Sequence, residues 1–157
     1  MDVELQPVAP GERDVLGRLM QLYLHDFSEF LGEDVDARGE YHYAYFDHYF
    51  RPEERDSRHA FFIRAHGQLA GFAFVRQSDG QNSVAEFFVM RKYRRSGVGT
   101  DAARQLFARF PGAWKVAEVA TNLPAQAFWR KVIAGVTGGA YTEEADAEGV
   151  VQRFTLV

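Results

Sequence analysis

The stretch Glu86-Phe-Phe-Val-Met-Arg-Lys-Tyr-Arg-Arg-Ser-Gly-Val-Gly-Thr100 decides how this chain folds. An apolar run carrying one charge, Glu86, passes into a basic segment and then a Gly-x-Gly turn. The following residues, 99–110, place Ala102, Ala103, Leu106, Phe107 and Phe110 on one side of a helix. Residues 84–90 read as a central strand buried on both faces, because they are continuously apolar except at Glu86. Gly97 and Gly99 let backbone approach a ligand without side-chain obstruction. The free amides of a helix start, with its dipole, favour an anion. Arg91, Lys92, Arg94 and Arg95 set four cations beside that turn. The segment predicts a phosphate or pyrophosphate site.

Several architectures use such a turn. A P-loop needs Gly-Lys-Ser/Thr, and no lysine follows Gly99. The dinucleotide pattern G-x-G-x-x-G/A is met by Gly97, Gly99 and Ala102, with Glu118 at about the spacing of the ribose carboxylate. Only 58 residues follow Gly99, however, too few for the remaining strands of a doubly wound sheet. A coenzyme A site would wrap the pyrophosphate with Arg94-x-x-Gly97-x-Gly99. The plain structural alternative is a tight strand-to-helix turn with solvated arginines.

Outward from the turn, the pattern gives an order β-α-loop-β-β-β-α-β-α-β-β. Residues 3–8 alternate as an edge strand with Pro7 near its end. Residues 12–30 carry Val15, Leu16, Leu19, Met20, Tyr23, Phe27 and Phe30 at helical spacing, and Gly32 stops them. Residues 32–58 read as an acidic, aromatic loop with a short helix near 43–50. Two runs, 60–64 and 69–75, form a hairpin about His66-Gly67-Gln68. After the central helix come a strand over 114–120, a helix over 124–133 with Pro124 in its first turn, a strand starting near Tyr141, and a last strand over 150–157. No repeat or linker interrupts the chain, so a single mixed α/β domain over 1–157 is the simplest account.

Composition bounds the function. The 157 residues, 46% hydrophobic and 25% charged, are ordinary globular values. No apolar run reaches membrane-spanning length, and the acidic N-terminus is unlike a signal peptide, so no membrane association is expected. Cysteine is absent, which removes disulfides, thiolate metal sites and a cysteine nucleophile and points to a cytoplasmic protein. With 18 Lys/Arg against 22 Asp/Glu, no nucleic-acid partner is expected. The charge is unevenly spread: residues 1–50 hold 3 Arg/Lys against 11 Asp/Glu, and residues 51–157 hold 15 against 11. The five histidines show no ligand spacing, so no metal is expected, and His25 beside Asp26 reads as a histidine at a helix end.

Together these residues resemble the GNAT acetyltransferase superfamily, over most of the chain and most strongly across 60–133. Arg94-x-x-Gly97-x-Gly99 resembles its Q/R-x-x-G-x-G/A pyrophosphate loop. Asn122-Leu-Pro-Ala125-Gln-Ala-Phe128-Trp129 is similar to its second motif, N-x-x-A-x-x-F-Y. The N-terminal helix, with Leu-Tyr-Leu-His25-Asp26-Phe-Ser-Glu-Phe30, looks like that of a bacterial subgroup. The resemblance implies a mostly antiparallel sheet, splayed between its fourth and fifth strands and flanked by helices. It implies acetyl-CoA as cofactor, held by Phe88, Val89 and Met90 on the strand, by Arg94, Arg95, Ser96, Gly97, Val98, Gly99 and Thr100 on the turn, and by Asn122, Ala125, Phe128 and Trp129 of the second motif. Trp129 stands where family members often carry a tyrosine that protonates the leaving thiolate, and an indole N–H is too weak an acid for that. A tyrosine from 41–49 or water would then take the role. Phe128 and Trp129 also read as plain packing of a short helix.

The implied chemistry is direct attack of an amine on the acetyl thioester. Val89 backbone would polarise the carbonyl. Glu86 would serve as base, since burial raises a carboxyl's pKa; its other reading is a strand carboxylate facing solvent or an arginine. Eight aromatics from Phe27 to Phe50, with seven carboxylates from Asp26 to Asp47 among them, suit a cationic amine of a small molecule or peptide, with Phe27, Tyr41, Tyr45 and Glu86 as the acceptor surface. The same aromatics read equally as a satellite core or a homodimer contact. Two rivals stand beside the acetyltransferase: a non-catalytic acyl-CoA sensor of the same fold, and a nucleotide-cofactor oxidoreductase.

Overall fold

The computed structural model describes residues 2–157. Its elements are β1 (Val3–Pro7), α1 (Arg13–Leu31), β2 (Arg58–Ala65), β3 (Gln68–Ser78), β4 (Gln81–Val89), α2 (Val98–Arg109), β5 (Gly112–Val119), α3 (Leu123–Thr137), β6 (Thr142–Ala145) and β7 (Gly149–Leu156). The strands form one sheet in the order β1-β2-β3-β4-β5-β7-β6, antiparallel throughout except for β4–β5. That is not the doubly wound parallel sheet of a dinucleotide fold, and the oxidoreductase reading falls with it.

Strand alternation divides the core into two. Phe62, Phe72, Phe74 and Phe88 face α1, which buries Leu16, Leu19, Met20 and Tyr23 against them. Phe61, Ile63, Ala73 and Val75 face α2 and α3, against Ala103, Leu106, Phe107 and Ile133. The loop aromatics Tyr43, Phe46, Tyr49 and Phe50 pack onto the α1 side, so the acidic loop supplies a satellite to that core. Within it the expected short helix is a 3₁₀ turn at Phe46–Phe50. Helix α1 stops at Gly32, whose φ of 70° suits glycine and whose N–H donates to Ser28 O at 2.7 Å. Helix α3 runs one turn beyond the expected 133, to a left-handed Gly138.

β4 departs from its expected burial. It is only partly buried along most of its length. The reason is that β4 and β5 pair only at Asn82–Trp114 and Ser83–Lys115, after which they diverge. Their closed end is pinned by buried Asn82: its Nδ2 donates to Phe110 O at 3.2 Å, and Gln77 Nε2 donates to its Oδ1 at 2.8 Å. At the open end each arm leans on a glycine of its outer neighbour. A Cβ on Gly71 of β3 would strike the Phe88 carbonyl, and one on Gly149 of β7 would strike the Glu118 carbonyl. No helix among the described residues is long and apolar enough to cross a membrane.

Candidate active site

The gap between the diverging strands opens into a cleft of about 690 Å³, walled by α1, β4, the glycine turn, β5 and α3. Glu86 enters it because of a backbone irregularity. The β3–β4 register runs Phe74–Glu86 and then Val75–Val84, leaving Ala85 as an extra, bulged residue. In a regular strand, residues two apart share a face. Here Val84 packs on the α2–α3 core, whereas Ala85 packs on the α1 core and Glu86 bonds to α1. The bulge turns the carboxylate toward α1.

Both Glu86 oxygens have donors. The Tyr23 hydroxyl donates to Oε1 at 2.7 Å and the Tyr43 hydroxyl to Oε2 at 3.3 Å. Neither solvent exposure nor an arginine partner, the readings open at the sequence level, describes this site. Burial pushes the carboxyl up to about 7, against the downward pull of the two tyrosines. The tyrosine hydroxyls are pushed upward in turn, by burial first and by the Glu86 charge next.

The β4 edge facing β5 is free of ladder partners beyond Ser83. Met90 N–H donates to Ala70 O at 2.8 Å, so alternation turns Val89 N–H and C=O to the opposite edge, toward the gap. Arg94 Nε already donates to that Val89 carbonyl at 2.7 Å. Met90, expected on the cofactor surface, is not in the cleft wall: its N–H belongs to β3.

The glycine turn has the geometry of an anion cradle. Arg95 and Gly97 have φ of 59° and 87°, and α2 begins at Val98. The amides of Val98, Gly99 and Thr100 lie in the first turn, where no intrahelical acceptor exists. A Cβ on Gly99 would come within 3.1 Å of the Phe128 ring, so glycine lets α3 pack that ring closely against the start of α2. Val98 itself is buried in the core, and Ser96 Oγ donates to Tyr93 O at 2.6 Å, so neither side chain faces the cleft. Of the turn's cations, Arg91 and Arg94 reach back to α1, bonding Asp26 at 2.9 and 2.6 Å. Desolvation opposes the Asp26 charge, but the two guanidiniums hold its carboxyl below the ordinary range.

On the far wall, Asn122 caps α3 by accepting from Ala125 N–H at 3.2 Å. Trp129 packs edge to face on Phe87 at 5.0 Å and is 6% exposed. Glu118 is buried with Gln152 Nε2 donating to its Oε1 at 2.8 Å, and burial raises its carboxyl to about 7. Its Oε2 has no hydrogen-bond partner among the described residues.

Tyr41 and Tyr45 do not line the cleft. Tyr41 exchanges backbone bonds with the Gln21 side chain, both at 2.8 Å, and anchors the loop to α1. Tyr45 is exposed, with Arg58 over its ring. Phe27 does line it, joined by Tyr23, Asp26 and Phe30 of the same helix face. Sequence reasoning misses Tyr23 as a site residue because its signal, helical spacing, is that of a core residue. Its pairing with a carboxylate 63 positions away is a tertiary fact.

The residues fit an acyl carrier that pairs a pyrophosphate with an extended amide arm. The cradle supplies free amides and arginines, and the unpaired edge of β4 supplies backbone partners for amides. The family model described as "Acetyltransferase (GNAT) family" matches residues 17–133. No curated protein sequence matches the chain. Among solved structures, an acetyltransferase from Thermus thermophilus superposes with TM-score 0.74 at 15% identity, covering 99% of this chain and 98% of that one. The PaiA N-acetyltransferase of Thermoplasma acidophilum, solved with coenzyme A, gives 0.63 at 10% identity, with 99% of each chain covered. The ribosomal-protein-S18-alanine N-acetyltransferase of Escherichia coli gives 0.64 at 12% identity, covering 99% of this chain and 94% of that one.

Proposed function

The chain belongs to the acetyltransferase (GNAT) family, and from that premise we propose that it transfers an acetyl group from acetyl-CoA directly to a primary amine of a small molecule or peptide, in the cytoplasm. The observation that carries this is the juxtaposition, across one cleft, of a cradle of free helix-start amides, an unpaired strand edge and a carboxyl whose pKa lies near neutrality. Bound acetyl-CoA supplies the activated acyl group as a thioester. The amides at the start of α2, with Arg94 and Arg95, would hold its pyrophosphate. Val89 N–H, directed into the gap, would donate to the thioester carbonyl and stabilise the charge that develops there. Glu86 takes the proton from the ammonium, and a pKa of about 7 suits that task. The amine nitrogen would bond to the acetyl carbon as the carbon–sulfur bond breaks, and the second nitrogen proton would pass, directly or through water, to the departing sulfur, so that CoA leaves as its thiol. Asn122, Ala125, Phe128 and Trp129 form the α3 wall of the carrier's path.

A second reading is favoured by one observation. Trp129 presents an indole where a proton donor to the thiolate is wanted, and an indole is a hydrogen-bond donor without useful acidity. A protein that binds acyl-CoA without turnover would tolerate it. The test is calorimetric titration with acetyl-CoA and CoA, with NADH and ATP as controls and Arg94→Glu/Gly97→Glu as the ablated cradle. Micromolar acetyl-CoA binding, abolished in the variant, supports the acyl-carrier site; absence of binding by the folded protein refutes it. A thiol-release assay over an amine panel then separates enzyme from sensor.

A further inference from the structure

The face that α1 turns toward the cleft is aromatic from rim to floor. Phe30 and Phe27 meet edge to face with centroids 6.0 Å apart, Phe27 and Tyr23 lie at 5.4 Å, and Tyr23 and Phe88 at 5.6 Å. Tyr23 then hands over to Glu86 through its hydroxyl. Positions 23, 27 and 30 share a helix face, yet only Tyr23 is buried; Phe27 and Phe30 are partly exposed to the cleft. Two adjacent phenyl faces open to water form a surface that an apolar group would cover.

Charge on this side is acidic. Glu29 stands at the rim and Glu86 at the floor. The arginines nearest α1, Arg91 and Arg94, share the one carboxylate of Asp26, which offsets one of their two charges; in the proposed complex the other is taken up by the pyrophosphate that Arg94 helps to hold. Arg95, the remaining arginine of the wall, sits on the anion cradle. An ammonium is therefore attracted to this side, whereas a carboxylate next to the amine would meet Glu86 and Glu29 with no free cation to balance it. The Phe27 and Tyr23 ring centroids lie 5.4 Å apart and the Tyr23 hydroxyl bonds Glu86, so the aryl surface and the carboxylate are separated by a single ring.

We propose that the acceptor is a primary monoamine carried on an aryl group, without a carboxylate beside the amine, its ring seated on Phe27 and Phe30 and its nitrogen delivered to Glu86. This rests on the acetyl-transfer reading of the same cleft. It excludes free amino acids through the unbalanced carboxylate. It disfavours hydrophilic polyamines, which would leave the two phenyl faces uncovered.

The test titrates the CoA-saturated protein with 2-phenylethylamine, phenylalanine and spermidine by calorimetry, and follows thiol release from acetyl-CoA with the same three amines. Expected is 2-phenylethylamine binding at least about tenfold tighter than either of the others, with kcat/KM in the same order. Phe27→Ala and Phe30→Ala should each weaken 2-phenylethylamine by about tenfold and leave the Kd for CoA unchanged. Phe27→Leu, which keeps apolar volume and loses the ring, should fall between; its unchanged CoA affinity reports an intact fold. Phenylalanine or spermidine bound as tightly as 2-phenylethylamine, or phenylalanine-wall variants without effect on it, would overturn the proposal while leaving acetyl transfer standing. Failure of the folded wild type to bind CoA would overturn the acetyl-transfer reading and this inference with it.

Discussion

Glu86→Gln should stabilise the protein, increasingly as pH rises from about 4.5 and fully above about 7. In the fold the Glu86 carboxyl titrates at about 7 against an ordinary 4.5, because β4 and the α1 core desolvate it more than Tyr23 and Tyr43 compensate. A gap of about 2.5 units corresponds to about 3 kcal/mol. The sign follows from proton counts. At pH 4 the carboxyl is mostly protonated in both states and the difference vanishes. Between 4.5 and 7 the unfolded chain has released a proton that the folded chain retains, so stability falls as pH rises. Above 7 both are ionised and the penalty stays at its full value. Glutamine keeps the size and can bond both tyrosine hydroxyls without ionising. Denaturant unfolding of the ligand-free wild type and variant, at pH 4 and pH 8, should give a stability difference that shifts by about 3 kcal/mol in the variant's favour across that interval. A difference that stays constant from pH 4 to 8 would show that Glu86 is as well solvated folded as unfolded, and the desolvation account of its basicity would be wrong.

Tyr23→Phe removes the shorter of the two bonds that lower the Glu86 pKa, so the acid limb of kcat/KM should move to higher pH by about one unit; an unmoved limb would take Glu86 out of the profile. Gly71→Ala would drive a Cβ into the Phe88 carbonyl of β4, and chemical denaturation should report a loss of about 1–3 kcal/mol. Asp26→Asn frees Arg91 and Arg94; calorimetry should show CoA bound up to about fivefold tighter, with the gain shrinking as salt is raised.

The parts of the site that are legible in the sequence are local. The passage from apolar strand through Gly97 and Gly99 into an amphipathic helix spans fifteen residues, and every signal in it is a near-neighbour one. Glu86 announces itself as the lone charge in an apolar run. What is not legible depends on contacts far apart in the chain. The Ala85 bulge leaves no trace in composition, yet it decides which face Glu86 takes. β4 reads as buried on both faces because its residues are apolar; they serve a gap that β5 opens, and a period-2 pattern carries no information about a neighbouring strand's departure. Tyr41 and Tyr45 group with Phe27 in the sequence because all lie in one acidic, aromatic segment. The loop's fastening to Gln21 turns Tyr41 away from the cleft, and Arg58 covers Tyr45 outside it. Glu118 fits the spacing of a ribose carboxylate, and its surroundings in the fold, Gln152 of β7 and a mostly antiparallel sheet, give that spacing no ligand to serve.

The two carboxyls raised to about 7 can be told apart by what holds them. Glu86 has a hydroxyl donor on each of its two oxygens. That is the environment of a group meant to cycle: desolvation lifts its pKa, and preset donors keep the charged form within reach. Glu118 has one donor, Gln152, and an orphaned Oε2 with no water-exposed face. Ionising it leaves a charged oxygen unpaired, at a cost of about 1–3 kcal/mol or more, and its nearest charges, Glu143 and Arg130, pull in opposite directions. Its place on β5, in the same register as Trp114 and Val116 of the α2–α3 core, makes it a packing residue that is polar rather than a base. The bulge at Ala85 supplies the asymmetry between the two arms: it rotates one carboxyl out of the core phase and under the α1 tyrosines, and β5 has no such extra residue to do the same for Glu118.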